Sequence, residues 1–335
     1  MIKLVPDLFY QEEETKKALA EFILSTDRLS IGPQADTFER QFAAWQGRQY
    51  CTLFNSGSSA NLALIQALIN LERVHADDIA AFSAMTWATN VMPLIQLGLS
   101  PLPIDIETDT LNVSSTQLER ALAEHPDVKV LFLTHLLGFC DDVEAIAQIC
   151  ADRNIILIED VCESLGSVYQ DTKLGNFGVA GTFSFFVGHH LSTIEGGAVC
   201  SDDPELDRML RLVRAHGWDR NLTDIDTAAI RDEHNISNDF FANFTFYELG
   251  YNLRPTEITG FLGQIQLPHA DEIVRKRHEN FSKFQEILAR STDFLPLDVS
   301  HIDVISNFAM PVVCKSEELL TRYITAFEDS GMKST

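Results

Sequence analysis

The chain has 335 residues, 45% of them hydrophobic and 22% charged, with 25 Lys and Arg against 49 Asp and Glu for a formal net charge of -24. The apolar share, with only 17 Gly and 11 Pro, excludes a disordered or fibrous chain, and the length suits a large α/β domain followed by a smaller one. The acid surplus argues against nucleic-acid binding, because neutralising phosphates needs a basic face that this composition does not supply.

The first residues, Met1 to Asp7, turn polar before the apolar core of a signal peptide could form. No apolar run reaches the roughly 18 residues of a membrane-spanning helix; the best, Val130 to Cys140, is short and contains His135. The chain therefore reads as cytosolic, with no membrane partner. Short β-branched or aromatic runs then alternate with amphipathic segments of helical length, the pattern of a mostly parallel, helix-covered sheet. Strands are predicted over Tyr50 to Phe54, Ile79 to Phe82, Leu102 to Ile104, Val128 to Thr134, Asn154 to Ile158, Thr182 to Phe186 and Gly197 to Ser201. Helices are predicted over Ser58 to Leu71, Ala88 to Leu97, Ser115 to Glu124, Asp142 to Arg153 and Pro204 to Ala215.

The polar stretch Asn221 to Asn243 reads as a long surface loop. From Arg254 a long helical stretch, interrupted near Pro268, runs to about Arg290. One strand (Phe308 to Cys314), one helix (Glu317 to Asp329) and the opening of a further strand after Gly331 complete the text. The six cysteines are scattered without a C-x-x-C pair, which suggests neither a disulfide framework nor a metal site.

Three constellations carry chemistry. Asn55-Ser56-Gly57-Ser58-Ser59-Ala60-Asn61 follows a strand and opens a helix, so unpaired amides and the positive end of the helix dipole form a natural phosphate seat, although serine caps are common at helix starts. Glu159 and Asp160 close an apolar strand, where open α/β sheets place ligand-binding groups. Strand alternation sends their side chains to opposite faces, so one of them faces a site. The third, Ser184 to Leu191, holds His189 and His190 and is followed by Glu195-Gly196-Gly197. Adjacent histidines on extended backbone diverge too far to chelate one metal, and one of them suits acid/base work near neutral pH.

The order and spacing of these three resemble the DegT/DnrJ sugar aminotransferase family, pyridoxal-phosphate proteins of the aspartate-aminotransferase fold (fold type I). Thr86-Trp87-Ala88-Thr89, His135-Leu136-Leu137-Gly138, His216-Gly217-Trp218 and Gly250-Tyr251-Asn252-Leu253-Arg254-Pro255-Thr256-Glu257 resemble further motifs of that family, so the likeness covers nearly the whole chain. It implies a three-layer α/β/α architecture, with a large seven-stranded domain over 1–250 and a smaller α+β domain over 251–335. That smaller domain looks incomplete, since the family's text continues past residue 335. It also implies that Gly57, Ser58, Ser59 and Ser184 hold the phosphate of pyridoxal 5′-phosphate (PLP), that Trp87 stacks on its ring and that Asp160 pairs with the pyridine nitrogen. Asn252 would reach the phosphate in a neighbouring subunit, which implies a homodimer with shared active sites.

Two positions depart from the pattern. The family's Schiff-base lysine falls five residues after the serine equivalent to Ser184, and His189 stands there. Glu163 stands where a Gln usually lies beside the cofactor's phenolic oxygen. Without the lysine amine the cofactor would be held noncovalently. Histidine at that position marks the sugar 3-dehydratases, which deoxygenate C3 of nucleotide-linked 4-keto-6-deoxyhexoses, and Val187 to Gly197 resembles the GDP-4-keto-6-deoxymannose 3-dehydratases most closely. An iron–sulfur subgroup also has His but clusters cysteines near the small domain, and Asn238 to Tyr251 contains none. The reading is a dehydratase with His189 as acid/base and the pyridoxamine form (PMP) regenerated from glutamate. A lysine-free sugar aminotransferase and a noncatalytic PLP-binding regulatory protein are the alternatives. Arg214, Arg220 and Arg254 are candidates for the substrate's phosphates, each with surface solvation as its competing role.

Overall fold

A computed structural model describes residues 7–331. The chain enters through α1 (Glu12–Ser25) and α2 (Pro33–Gln46) and then alternates strands with helices: β1 (Tyr50–Phe54), α3 (Gly57–Asn70), β2 (Ile79–Ser83), α4 (Ala88–Gln96), β3 (Ser100–Ile104), α5 (Ser115–Glu124), β4 (Val128–Thr134), α6 (Val143–Arg153) and β5 (Ile156–Asp160). A two-residue hairpin, β6 (Val168–Tyr169) and β7 (Thr172–Lys173), precedes β8 (Ala180–Ser184), β9 (Gly197–Ser201) and α7 (Pro204–Arg214). Seven of these strands form one sheet in the order β1-β9-β8-β5-β4-β2-β3. All neighbours run parallel except β9, which is antiparallel to both β1 and β8.

Alternation along the central strands explains the three layers. Val130 and Phe132 of β4 and Ile158 of β5 pack with Leu64, Leu68, Leu206 and Leu210 of α3 and α7 on one face. Leu131, Leu133 and Leu157 pack with Phe38, Leu118 and Ile146 of α2, α5 and α6 on the other. Central strands buried on both faces thus read as continuous apolar runs, which is why the sequence marks them so plainly. The fold is the expected three-layer α/β/α architecture with a large, mostly parallel seven-stranded sheet.

The remaining elements are α8 (Asp224–Glu233), α9 (Asp239–Ala242), α10 (Glu257–Gln266), α11 (Ala270–Leu288), β10 (Phe294–Leu295), β11 (Val313–Cys314) and α12 (Glu317–Asp329). Two expectations fail here. Residues 221–243 are not a plain loop: the Thr223 hydroxyl accepts the Asp226 amide at 3.1 Å and caps α8, Ile230 anchors the helix by burial, and Arg231 pairs with Asp219 at 2.6 Å. The strand expected over 308–314 shrinks to Val313–Cys314, paired with β10. Pro311 has no N–H for a ladder, and the Phe308 amide is spent on the Leu137 carbonyl at 2.9 Å. The long helical stretch is interrupted as expected, by a 3-10 turn at Leu267–His269 that contains Pro268. The strand opening expected after Gly331 lies outside the described residues. No helix among the described residues is long and apolar enough to cross a membrane.

Candidate active site

At the carboxyl ends of β1, β5 and β8 lies a cavity of about 480 Å³. Its walls include Gly57, Ser58, Trp87, Asp160, Glu163, Ser184 and His189, seven of the nine residues expected at the site. Ser59 and Asn252 are the two that do not line it. The Ser59 amide is taken by the Ser56 hydroxyl at 3.1 Å, an N-cap that leaves Gly57 and Ser58 as the open amides at the start of α3. Asn252 is exposed, and its side-chain oxygen accepts the Arg254 Nε–H at 3.0 Å.

The helix end is shaped for a close approach. A Cβ on Gly57 would stand 2.8 Å from Cβ of Ser184, and one on Gly197 would fall 2.3 Å from the Ser56 carbonyl carbon. Only hydrogen at both positions lets β8, β9 and the first turn of α3 converge on one small pocket of donors. An anion placed there meets amides, the helix dipole and the Ser184 hydroxyl together.

Asp160 forms the floor. Its Oδ2 accepts Asn90 Nδ2 at 2.7 Å and Asn61 Nδ2 at 3.3 Å, and its Oδ1 accepts the Cys162 amide at 2.8 Å. These donors hold the carboxylate in place as an acceptor for a cationic ring N–H. Glu159 points the other way, as strand alternation requires. It accepts His135 Nε2–H at 2.7 Å and the amides of Gly175, Phe177 and Gly178 at 2.7–2.8 Å. Although burial opposes it, His135 and these amides hold the Glu159 carboxyl below its ordinary range. Glu159 organises the loop before β8, while Asp160 alone faces the cavity.

His189 closes the opposite side. Its Nδ1 lies 2.7 Å from the Cys162 carbonyl, which can only accept, so Nδ1 carries the proton and Nε2 keeps a free lone pair. Burial lowers the imidazole pKa, which favours the neutral, basic form. Burial raises the Glu163 carboxyl and the Asp160 charge adds to it, against the Leu137 amide that Glu163 accepts at 2.8 Å. No lysine lines the cavity among the described residues. His190 turns away: it is buried and donates Nε2–H to the Ser306 carbonyl at 2.8 Å.

Of the three arginines considered for phosphates, Arg214 is ruled out. It is 1% exposed and spends Nη1 on Glu39 (2.6 Å) and the Leu53 carbonyl (2.9 Å), beneath β1 and not at the surface. Arg220 lies over the Trp218 ring, 4.0 Å from its centroid, and Arg254 flanks the same ring at 6.0 Å. Neither lines the cavity. Sequence reading missed Asn90, the Cys162 carbonyl and Phe308 as parts of the site, and it placed Asn61 in the anion-seat motif without its contact to Asp160. Asn90 carried a faint signal, one residue past Thr86-Trp87-Ala88-Thr89; Phe308 carried none.

The residues present fit a phosphorylated pyridine cofactor: an anion seat at one end, a fixed carboxylate at the other, and an indole at the rim whose outer face is uncovered. The profile of the DegT/DnrJ/EryC1/StrS aminotransferase family matches residues 10–334. A GDP-4-keto-6-deoxy-D-mannose 3-dehydratase of Yersinia pseudotuberculosis is 35% identical over 269 residues, spanning 80% of this chain and 67% of that protein. The solved structure of E. coli GDP-4-keto-6-deoxy-D-mannose-3-dehydratase with bound hydrated PLP superposes with a TM-score of 0.84 at 28% identity, covering 98% of this chain and 84% of the other. A GDP-4-keto-6-deoxymannose-3-dehydratase with a trapped PLP–glutamate geminal diamine gives a TM-score of 0.88 at 28% identity, over 99% of this chain and 85% of the other.

Proposed function

Because the chain belongs to the DegT/DnrJ/EryC1/StrS aminotransferase family, we propose that it is a PLP/PMP-dependent dehydratase that removes the C3 hydroxyl of a nucleotide-linked 4-keto-6-deoxyhexose, with GDP as the nucleotide. The observation that carries this reading is His189. It stands at the cavity wall with Nδ1 committed to a carbonyl and Nε2 free, in a site that no lysine lines among the described residues. An imidazole can take up and return a proton but cannot hold a carbonyl covalently as an amine does. The named relatives act on a GDP sugar, and one of them traps glutamate with PLP.

In this reading Gly57 and Ser58 amides and the Ser184 hydroxyl hold the cofactor phosphate, Trp87 covers the ring, Asp160 keeps the pyridine nitrogen protonated, and Glu163 sits beside the phenolic oxygen. When bound, the pyridoxamine form supplies a primary amine for the C4 ketone and a protonated ring that accepts electrons. His189 Nε2 is the atom that moves the proton. The products are a 3-deoxy-4-keto sugar and ammonia, and glutamate restores the amine. Asn252 serves the site of a second copy in a homodimer, the division at residue 250 separates a large unit from a smaller one, and the reaction is cytoplasmic; these belong to the same proposal.

The test is mass spectrometry of products after incubation with PLP, glutamate and a panel of GDP-, CDP-, dTDP- and UDP-linked 4-keto-6-deoxyhexoses. Loss of a hydroxyl with ammonia release from the GDP sugar is expected. An amino sugar as product would make the protein a transaminase, and no turnover of any sugar would leave only a cofactor-binding role. Intact-mass analysis should find no covalent cofactor on the wild type and a covalent adduct on His189→Lys.

A further inference from the structure

The imidazole of His189 is held by more than one hydrogen bond. The ring of Phe308 lies over it, with centroids 5.0 Å apart and planes tilted by 31°, and the Phe186 ring meets it edge-on at 6.1 Å. Phe308 belongs to residues 305–308, an extended segment that crosses from the chain's last third over the cavity. Four elements grip its backbone. The Ile305 amide donates to His278 Nδ1 (3.0 Å), the Ser306 amide to Ser167 Oγ (2.9 Å), and the Phe308 amide to the Leu137 carbonyl (2.9 Å). The Ser306 carbonyl accepts His190 Nε2–H, and the Asn307 carbonyl accepts Arg277 Nη1–H at 2.7 Å. Gly138 lies beneath the crossing: at φ +99° a Cβ there would stand 2.6 Å from Asn307 Cα.

Arg277 is an unusual clamp. It has no Asp or Glu within ion-pairing distance among the described residues, so its guanidinium is desolvated without a countercharge. Such a cation costs stability that a neutral donor to the same carbonyl would avoid. What it supplies besides the hydrogen bond is positive potential beside both histidines.

We propose that Phe308 is a positioning residue for His189, and that Arg277 holds the 306–308 segment in register so that the Phe308 ring fixes the direction of His189 Nε2. This rests on the reading of His189 as the proton-moving group. One hydrogen bond at Nδ1 leaves the imidazole free to rock about the Nδ1–carbonyl axis; a ring on its face removes that freedom and keeps water off. Around the ring, burial and then Arg277 disfavour the imidazolium, the Cys162 carbonyl and then the Asp160 charge favour it, His190 lies adjacent, and Glu163 and Glu195 also stand on the cavity wall.

The experiment uses histidine-selective 15N labelling of the PMP-loaded protein together with turnover of the GDP sugar, on wild type, Phe308→Leu, Phe308→Tyr and Phe308→Ala. His189→Asn identifies the resonance. Wild type should show one neutral tautomer with the proton on Nδ1. Phe308→Ala should broaden or mix the tautomers, move the acid limb of the kcat/KM profile upward toward the ordinary imidazole range, and lower kcat about 10- to 100-fold with KM nearly unchanged. Phe308→Tyr should restore both, and Phe308→Leu, which keeps apolar cover without a flat ring, should fall between. A wild-type pH profile and kcat in Phe308→Ala, or a wild-type imidazole protonated on Nε2, overturns the proposal. If the wild type turns over no sugar yet Phe308→Ala still scrambles the tautomer, the positioning role stands and the reading of function falls.

Discussion

The two ends of the cavity are built differently. The end proposed to seat an anion and a cationic ring is made of neighbours: Gly57 and Ser58 open α3 directly after β1, and Asp160 ends β5 under Asn61 and Asn90, which come from the N-terminal halves of α3 and α4. The His189 end is made of strangers. Its imidazole depends on a carbonyl two residues past β5, a ring from residue 308 and an arginine from α11. One end is fixed by short, sheet-anchored connections, the other by a long-range crossing. The comparison teaches that the first should fail abruptly when altered and the second by degrees.

The largest effect is expected from Asp160→Asn. On the proposed role of Asp160, removing its charge takes away the partner of the pyridine nitrogen, so kcat should fall on the order of a thousandfold, measured with saturating cofactor. Asn90→Ala asks how much of that depends on placement, since it deletes the shorter of the two Oδ2 contacts. It should lower kcat about tenfold while leaving cofactor affinity, read by fluorescence titration, nearly intact. Gly57→Ala probes the anion seat, where the added methyl meets Ser184 at 2.8 Å. A loss of about 1–3 kcal/mol is expected for such overpacking, appearing mostly as weaker cofactor binding in the same titration.

The smallest effect belongs to the other end and reads its stability. Burial, with Arg277, lowers the pKa of His190 well below its ordinary 6.5. The unfolded chain therefore binds the proton more readily, and the stability is fully present above 6.5 and is lost as pH falls below it. In thermal unfolding, wild type should lose about 1 kcal/mol per pH unit in that window from this group. His190→Gln, which keeps a donor for the Ser306 carbonyl, should flatten the slope. An unchanged slope would mean that the segment over the cavity loosens without His190 titrating.

The same contrast explains what was legible in the sequence. Strand–turn–helix motifs such as Asn55 to Asn61, or Ile158 to Asp160 at a strand end, announce themselves because sheet geometry makes local order into spatial order. Alternation put Glu159 and Asp160 on opposite faces, and the family resemblance pointed to Asp160 as the one at the site. Phe308 could not be found this way, because nothing near it predicts which side chain it will cover. Its segment reads as a strand by composition, and only Pro311 and the competing Leu137 carbonyl prevent that. At α8 the signal was present but outweighed: Thr223 followed by Asp226 is a cap, hidden in polar composition. Arg214 was misplaced because an arginine is read as surface unless its carboxylate partner, here Glu39 on α2, is known.

The prolines of β3 have a consequence for how copies of this protein can meet. β3 is a sheet edge, and its parallel register with β2 turns the alternate positions Pro101 and Pro103 outward. Where another strand would seek two amide donors it finds two pyrrolidine rings. The sheet cannot be extended on that side, so crowded or partly unfolded molecules are denied a template for edge-to-edge stacking there.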